Sequence, residues 1–208
     1  VLDPLQERIA RLALSLPEAG GLALAGGGAM LAPGLVQRPT LDVDMFTPEP
    51  DITVLADALF AALRHDQLGV VVEASSPTYV RLTATAPDGR ECKVEVARDA
   101  RIRPPVRLAV GAVLHVEEVA ADKMLALFGR AAARDFVDVV ALLGRFPADR
   151  LVDLAAEKDR GFDARHFAAA LRSVSRFEDG DFLVLGLGPA DVARLRERVL
   201  SWAETLDG

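Results

Sequence analysis

The hydrophobic period of this chain changes character once, near residue 115, and that change limits what it can fold into. Before it, two-residue alternation and 3.6-residue stripes are interleaved, the pattern of a sheet with helices against it. After it only helical stripes remain. The sequence therefore divides into a mixed α/β half and an all-helical half, and no internal repeat or low-complexity linker interrupts the 208 residues. The expected organisation is a mixed α/β unit over 1–115 and a helical unit over 116–208 packed against it.

In the first half Asp3, Pro4 and Gln6 form the start signal of a helix whose core stripe is Leu5, Ile9 and Leu12. Leu22–Ala25 reads as a short strand, Gly26-Gly27-Gly28 as a turn, and Ala29–Leu31 as the start of a short helix. Leu41–Thr47 alternates as a strand, and Ile52, Leu55, Leu59 and Leu63 place a helix over Asp51–Arg64. Gly69–Ala74, Tyr79–Ala86 and Glu91–Ala97 read as strands, the last two joined by a hairpin turn at Pro87-Asp88-Gly89-Arg90. Helices are expected at Glu117–Gly129, Ala133–Gly144, Ala148–Lys158, Asp163–Val174 and Pro189–Leu206.

Composition narrows the function classes. With 51% apolar residues the chain can bury a sizeable core. A net charge of -7 argues against gripping long nucleic acid over a whole surface, so any contact with RNA runs through a local patch. Cys92 is the lone cysteine, which excludes an internal disulfide, and no Cys/His group has zinc spacing. Glycines and Pro33 break the apolar run near residues 22–35, Phe182–Leu187 is too short to span a bilayer, and the start carries Asp3, Glu7, Arg8 and Arg11. A cytoplasmic protein without a membrane partner is expected. Lysines number only three (Lys93, Lys123, Lys158), so each draws attention.

The chemistry concentrates in Ala25-Gly26-Gly27-Gly28 and in Arg38-Pro39-Thr40-Leu41-Asp42-Val43-Asp44. Glycines after a strand let backbone N–H groups approach phosphate oxygens. Asp42 and Asp44 lie two apart on the expected strand, so their carboxylates leave one face roughly 6.5–7 Å apart at the backbone. Such a pair can hold divalent ions that bridge a nucleotide's phosphates. Glu95 shares a strand face with Lys93, and two readings stand: a third carboxylate, as metal ligand or general base, or a solvated pair. Lys123 follows Val119 and precedes Leu127 at helical spacing, on the apolar edge of its helix. There it either meets an anion such as a triphosphate or extends to solvent. Arg130, Arg134, Asp135 and Asp138 flank the next core stripe, where Asp135 also reads as an acid favoured by the helix dipole and the arginines as surface charges.

In order, Gly-Gly-x-Ala, Arg-x-Thr-x-Asp-x-Asp, the lysine helix and Arg-Asp-Phe-x-Asp resemble the AbiEii/AbiGii (MenT-like) nucleotidyltransferase toxins over about residues 20–145. The resemblance implies an α+β, DNA-polymerase-β-like nucleotidyltransferase fold: a mixed β-sheet flanked by helices, followed by an all-helical C-terminal domain. It further implies Mg²⁺-dependent (or Mn²⁺-dependent) transfer of a nucleotidyl group from an NTP, with a tRNA 3′ end as acceptor in some members, and a cognate antitoxin as partner. By position, Asp42 and Asp44 match the metal pair, Gly26 and Gly27 the phosphate-approaching turn that Gly28 completes, and Lys123 the triphosphate lysine. Arg38 matches the arginine before the acidic pair, Arg130 a nucleotide contact, Asp135 the acid of the last motif with Asp138 one helical step on. Thr40 matches a position that is a phosphorylation target in some relatives. Gly28 departs from the Ser or Thr common there, removing a hydroxyl from the phosphate turn. The third carboxylate is variable in the family, which leaves both readings of Glu95 standing.

Arg98, Arg101, Arg103 and Arg107 crowd the segment after Glu95, either as a grip on acceptor phosphates or as a solvated loop. His65, His115 and His166 are scattered and receive no role. Two other functions fit the same residues. One is nucleotidyl transfer to a small cationic acceptor of the aminoglycoside type, which suits an acidic protein. The other is a catalytically weak nucleotide- or partner-binding module.

Overall fold

A computed structural model describes residues 2–36 and 38–206. Contacts divide the chain into two units, Val1–Gly34 with Thr40–Val116, and Leu35–Pro39 with Glu117–Gly208. The short segment 35–39 therefore belongs with the helical part, where the sequence reading placed it in the α/β part. Its pairing partner lies a hundred residues downstream, a relation that local periodicity does not carry.

The first unit opens with α1 (Pro4–Leu14). Asp3 Oδ1 accepts from the Leu5 and Gln6 N–H groups at 2.7 and 3.1 Å, and Gln6 Oε1 accepts from the Asp3 N–H at 3.0 Å. This reciprocal cap satisfies donors that the first helical turn leaves open. Leu5, Ile9, Ala10 and Ala13 form its buried stripe. There follow β1 (Ala23–Leu24), α2 (Gly26–Leu31), β2 (Asp42–Thr47), α3 (Thr53–His65), β3 (Gly69–Ser76), β4 (Tyr79–Thr85), β5 (Glu91–Arg98), β6 (Val106–Leu108) and β7 (Gly111–Val113).

The strands form one seven-stranded sheet in the order β3-β4-β5-β2-β1-β7-β6. β2 runs parallel to β5 and β1 parallel to β7, while the remaining pairs are antiparallel, so the sheet is mixed. Alternation sets its faces: Val43, Met45, Val80, Leu82, Val94 and Val96 are buried, and the residues between them are half-buried or exposed. Helices α1 and α3 pack on each other and on the sheet, with Ile9, Leu59 and Leu63 wholly inaccessible. Burying each such side chain contributes about 1.5–3 kcal/mol.

The glycine trio is not a free turn. Gly26, at φ +54°, is the first residue of α2, and Gly27 and Gly28 continue it. Strands β6 and β7, not expected from the sequence, are three residues each and follow Pro104-Pro105. Each is too short to show a period, so pairing rather than composition defines them, β7 on β1 and β6 on β7.

The second unit contains α4 (Val116–Gly129), α5 (Ala133–Leu142), α6 (Ala148–Lys158), α7 (Ala164–Arg172), a 3₁₀ turn at Ser173–Arg176, α8 (Asp179–Leu183) and α9 (Pro189–Thr205). Its core is aromatic. Phe128, Phe162, Phe167 and Trp202 form a chain with ring centroids 5.1, 5.4 and 5.3 Å apart, and Phe136, Phe177 and Phe182 form a second at 5.8 and 5.9 Å. Helix α8 escaped the sequence reading because its five residues carry one buried side chain, Phe182. Among the described residues no helix is long and apolar enough to cross a membrane.

Candidate active site

In the first unit the site is built where β1 hands over to α2 beside β2. The Ala25 N–H donates to the Asp44 carbonyl at 2.8 Å, which brings the glycine corner against the acidic strand. A Cβ placed on Gly26 would lie 1.8 Å from Asp44 Oδ2 and 2.6 Å from its Cγ. The carboxylate thus occupies the space that any other residue's side chain would need, and the positive φ at Gly26 adds a second reason for glycine. Asp42 and Asp44 sit half-buried on the same face of β2, while Val43 and Met45 between and beyond them are buried on the other.

That face continues across the sheet. Asp42 is opposite Lys93 and Asp44 opposite Glu95 on β5, and Glu95 is opposite Arg81 on β4. The Arg81 Nε donates to Glu95 Oε1 at 2.8 Å, and its guanidinium lies 5.6 Å from the centroid of the Tyr79 ring. Negative charge at the site is felt through the strand. Burial first, then the charges of Asp3, Asp42 and Asp44, push the Cys92 thiol up to about 12. An all-oxygen donor set from Asp42 and Asp44, one carboxylate seated in a glycine cradle, suits a hard divalent cation such as Mg²⁺ or Mn²⁺.

Gly28 is explained by its neighbour. A Cβ there would lie 2.9 Å from Leu24 Cδ1 and 3.2 Å from its Cγ, so the buried leucine of β1 fills the place of a hydroxyl side chain. Gly27 is buried beside it. Thr40 is half-buried, and its carbonyl accepts from Gln6 Nε2 at 2.7 Å.

In the second unit two sequence-selected cations converge on one carboxylate. Asp138, fully buried, accepts from Arg38 Nε at 2.6 Å and Arg38 Nη2 at 2.7 Å, and lies 2.9 Å from Lys123 Nζ. Burial opposes ionisation of Asp138. The hydrogen bonds from Arg38 and the charge of Lys123 outweigh it and hold the carboxyl below the usual range. The anion that the apolar setting of Lys123 demanded is therefore, within this unit, Asp138. Asp135 takes a different partner: Arg130 donates to both its oxygens at 2.8 and 2.9 Å, and Oδ2 also accepts the Ala132 N–H at 3.0 Å. Asp135 thus closes the start of α5, and Arg130 is its counter-ion.

Residues 10–204 match the family described as nucleotidyl transferase AbiEii toxin of type IV toxin–antitoxin systems. The chain belongs to the AbiEii nucleotidyltransferase toxin family. It is accordingly a nucleotidyltransferase. No curated protein matches the sequence. Among solved structures, JHP933 from Helicobacter pylori superposes with a TM-score of 0.63 at 15% identity, over 99% of this chain and 93% of that one. MenT4, a nucleotidyltransferase toxin from Mycobacterium tuberculosis H37Rv, superposes at 0.56 with 17% identity, over 98% and 83% of the two chains. Identities this low carry the nucleotidyltransferase fold, which the mixed sheet with flanking helices already displays, and nothing of the chemistry.

For the AbiEii chain, two residues now matter that the sequence reading passed over or left without a partner. Arg81 was readable in principle: the Pro87–Arg90 turn sets the β4–β5 register, and counting back places it opposite Glu95. Asp138 was seen only as the acid one helical step beyond Asp135, and its hold on Arg38 is a long-range contact. Of the arginine cluster, Arg101 donates to the Gly21 and Phe46 carbonyls at 2.7 and 2.9 Å and Arg103 to the Ile102 carbonyl at 2.8 Å, while Arg98 and Arg107 are exposed. Lys158 is buried against Glu118 and Asp122. Asp163 caps α7 by accepting the His166 N–H at 2.8 Å, and the exposed His166 Nδ1 lies 3.3 Å from the same carboxylate.

Proposed function

We propose that this AbiEii-family chain transfers a nucleotidyl group from a nucleoside triphosphate to the 3′ end of a tRNA, using Mg²⁺ or Mn²⁺ held by Asp42 and Asp44. The observation that carries the reading is the seating of the Asp44 carboxylate in the space left open by Gly26. A metal ion bound there would supply charge neutralisation to the triphosphate and to the attacking oxygen. Asp42 and Asp44 share one face of β2, so both carboxylates leave the strand on the same side. The glycine corner admits phosphate close to backbone N–H groups.

Lys123 is the expected triphosphate lysine; within its own unit its ammonium is oriented by Asp138, and Arg38 is steadied by the same carboxylate. Arg130 and Asp135 act as a structural brace at the start of α5 rather than on the substrate. In the reaction the acceptor hydroxyl attacks the α-phosphorus in line. The bond from that phosphorus to the bridging oxygen breaks, pyrophosphate leaves, and the hydroxyl proton passes to solvent or a carboxylate.

A cognate antitoxin is the expected protein partner, and Thr40, two residues before Asp42, is the position where phosphorylation would act. A phosphate there sets negative charge beside the metal pair and competes for its cations.

The deciding experiment incubates purified protein, Mg²⁺ and each labelled NTP in turn with total tRNA. Label enters tRNA with the wild type and not with Asp44→Ala; equal labelling by both eliminates the assignment. A small cationic acceptor remains the second reading, favoured by the net charge of -7 and by the commitment of Arg101 to backbone carbonyls. Label transferred to an aminoglycoside and not to tRNA selects it.

A further inference from the structure

β2, β5 and β4 are neighbours in the sheet, and Asp44, Glu95 and Arg81 occupy one row across them, with Glu95 in the middle. The Glu95 carboxylate therefore stands between two competing claims: a divalent ion at Asp44 on one side and a guanidinium on the other. In the structure it answers to the guanidinium, with Oε1 accepting from Arg81 Nε at 2.8 Å. Tyr79, two residues before Arg81 on the same face of β4, supports that guanidinium with its ring. We propose that Arg81 is a positioning residue that latches Glu95 on the β4 side of the row and keeps it out of the metal pair formed by Asp42 and Asp44. This rests on the reading of Asp42 and Asp44 as the metal pair. The chain then binds its divalent ion with two carboxylates and holds a third in reserve, and Arg81 sets how tightly the ion is held.

Because the Arg81 side chain is 46% exposed, its removal leaves no buried gap, and the latch itself is weak, so the effect is read as a few-fold change. Mn²⁺ binding to the purified full chain, followed by electron paramagnetic resonance without nucleotide, measures it directly. Arg81→Ala and Arg81→Gln are each expected to bind Mn²⁺ about threefold or more tightly than wild type, as an added carboxylate strengthens an oxygen site. Glu95→Gln is expected to bind as wild type does, and the double variant Arg81→Ala with Glu95→Gln to return to the wild-type affinity. Unchanged affinity in both Arg81 variants overturns the latch. So does tightening that survives in the double variant, which would trace to lost positive charge alone, and so does weakened binding in Glu95→Gln, which would make Glu95 already a ligand. Asp44→Asn separates the two levels. If it binds Mn²⁺ like wild type, the metal-pair reading falls and the latch with it; if it loses binding while the Arg81 variants are silent, the latch alone falls.

Discussion

Asp138 shows how a single buried carboxylate organises its surroundings. It neutralises Arg38 and Lys123 at once, and neither cation is more than a tenth exposed. Replacing it by asparagine keeps the shape and removes the charge, leaving two buried cations without their shared anion. We expect Asp138→Asn to lower the stability to urea by about 3–5 kcal/mol, the range for breaking a buried pair from one side. The pH dependence has a definite sign. The folded-state pKa of Asp138 lies below its unfolded value, so its contribution is complete above about pH 4 and lost as pH falls through the folded value. The stability gap between wild type and Asp138→Asn should therefore be widest near neutrality and close in acid. A gap that stays constant down to pH 2 would contradict the pairing.

At the level of elements, the packing of α2 on β1 is governed by the contact between Gly28 and Leu24. A serine at position 28 would add a hydroxyl at the glycine corner, but its Cβ would start 2.9 Å from Leu24 Cδ1. Gly28→Ser should cost about 1–3 kcal/mol of stability through overpacking, read by urea denaturation. Combining it with Leu24→Ala should recover part of the loss. The longer elements were legible in the sequence, because the stripe of α3, the alternation of β2, β4 and β5, and the Asp3–Gln6 cap of α1 are all local signals. Asp42 and Asp44 were legible for the same reason, since strand alternation alone puts them on one face. What escaped was non-local. β6, β7 and α8 are too short to show a period, the glycine trio reads as a turn until Gly27 and Gly28 are seen in a helix, and the pairing of Arg38 with Asp138 spans a hundred residues.

Over the whole molecule, charge decides how an RNA acceptor can be held. The chain carries a net charge of -7, and in the arginine segment Arg101 and Arg103 already donate to carbonyls, leaving Arg98 and Arg107 exposed. With roughly two phosphates neutralised, single-strand affinity should fall by about tenfold or less between 50 and 200 mM salt. Filter binding of tRNA at graded salt checks this, and a fall of several hundredfold would require a cationic surface that these residues do not provide. Replacing Arg98 and Arg107 together by glutamine should flatten the dependence further.

The Gly26 corner carries a genetic consequence. Because the Asp44 carboxylate already fills the volume beside the Gly26 α-carbon, every missense change at that codon, down to the smallest, alanine, forces the acid aside. On the proposed role of Asp44 as a metal ligand, one base substitution there should abolish activity while leaving the rest of the polypeptide intact. Colonies that survive its expression without an antitoxin should therefore accumulate full-length alleles altered at this codon, alongside truncations, at a frequency well above that of Gly20, where a Cβ meets no neighbour and the backbone is not left-handed.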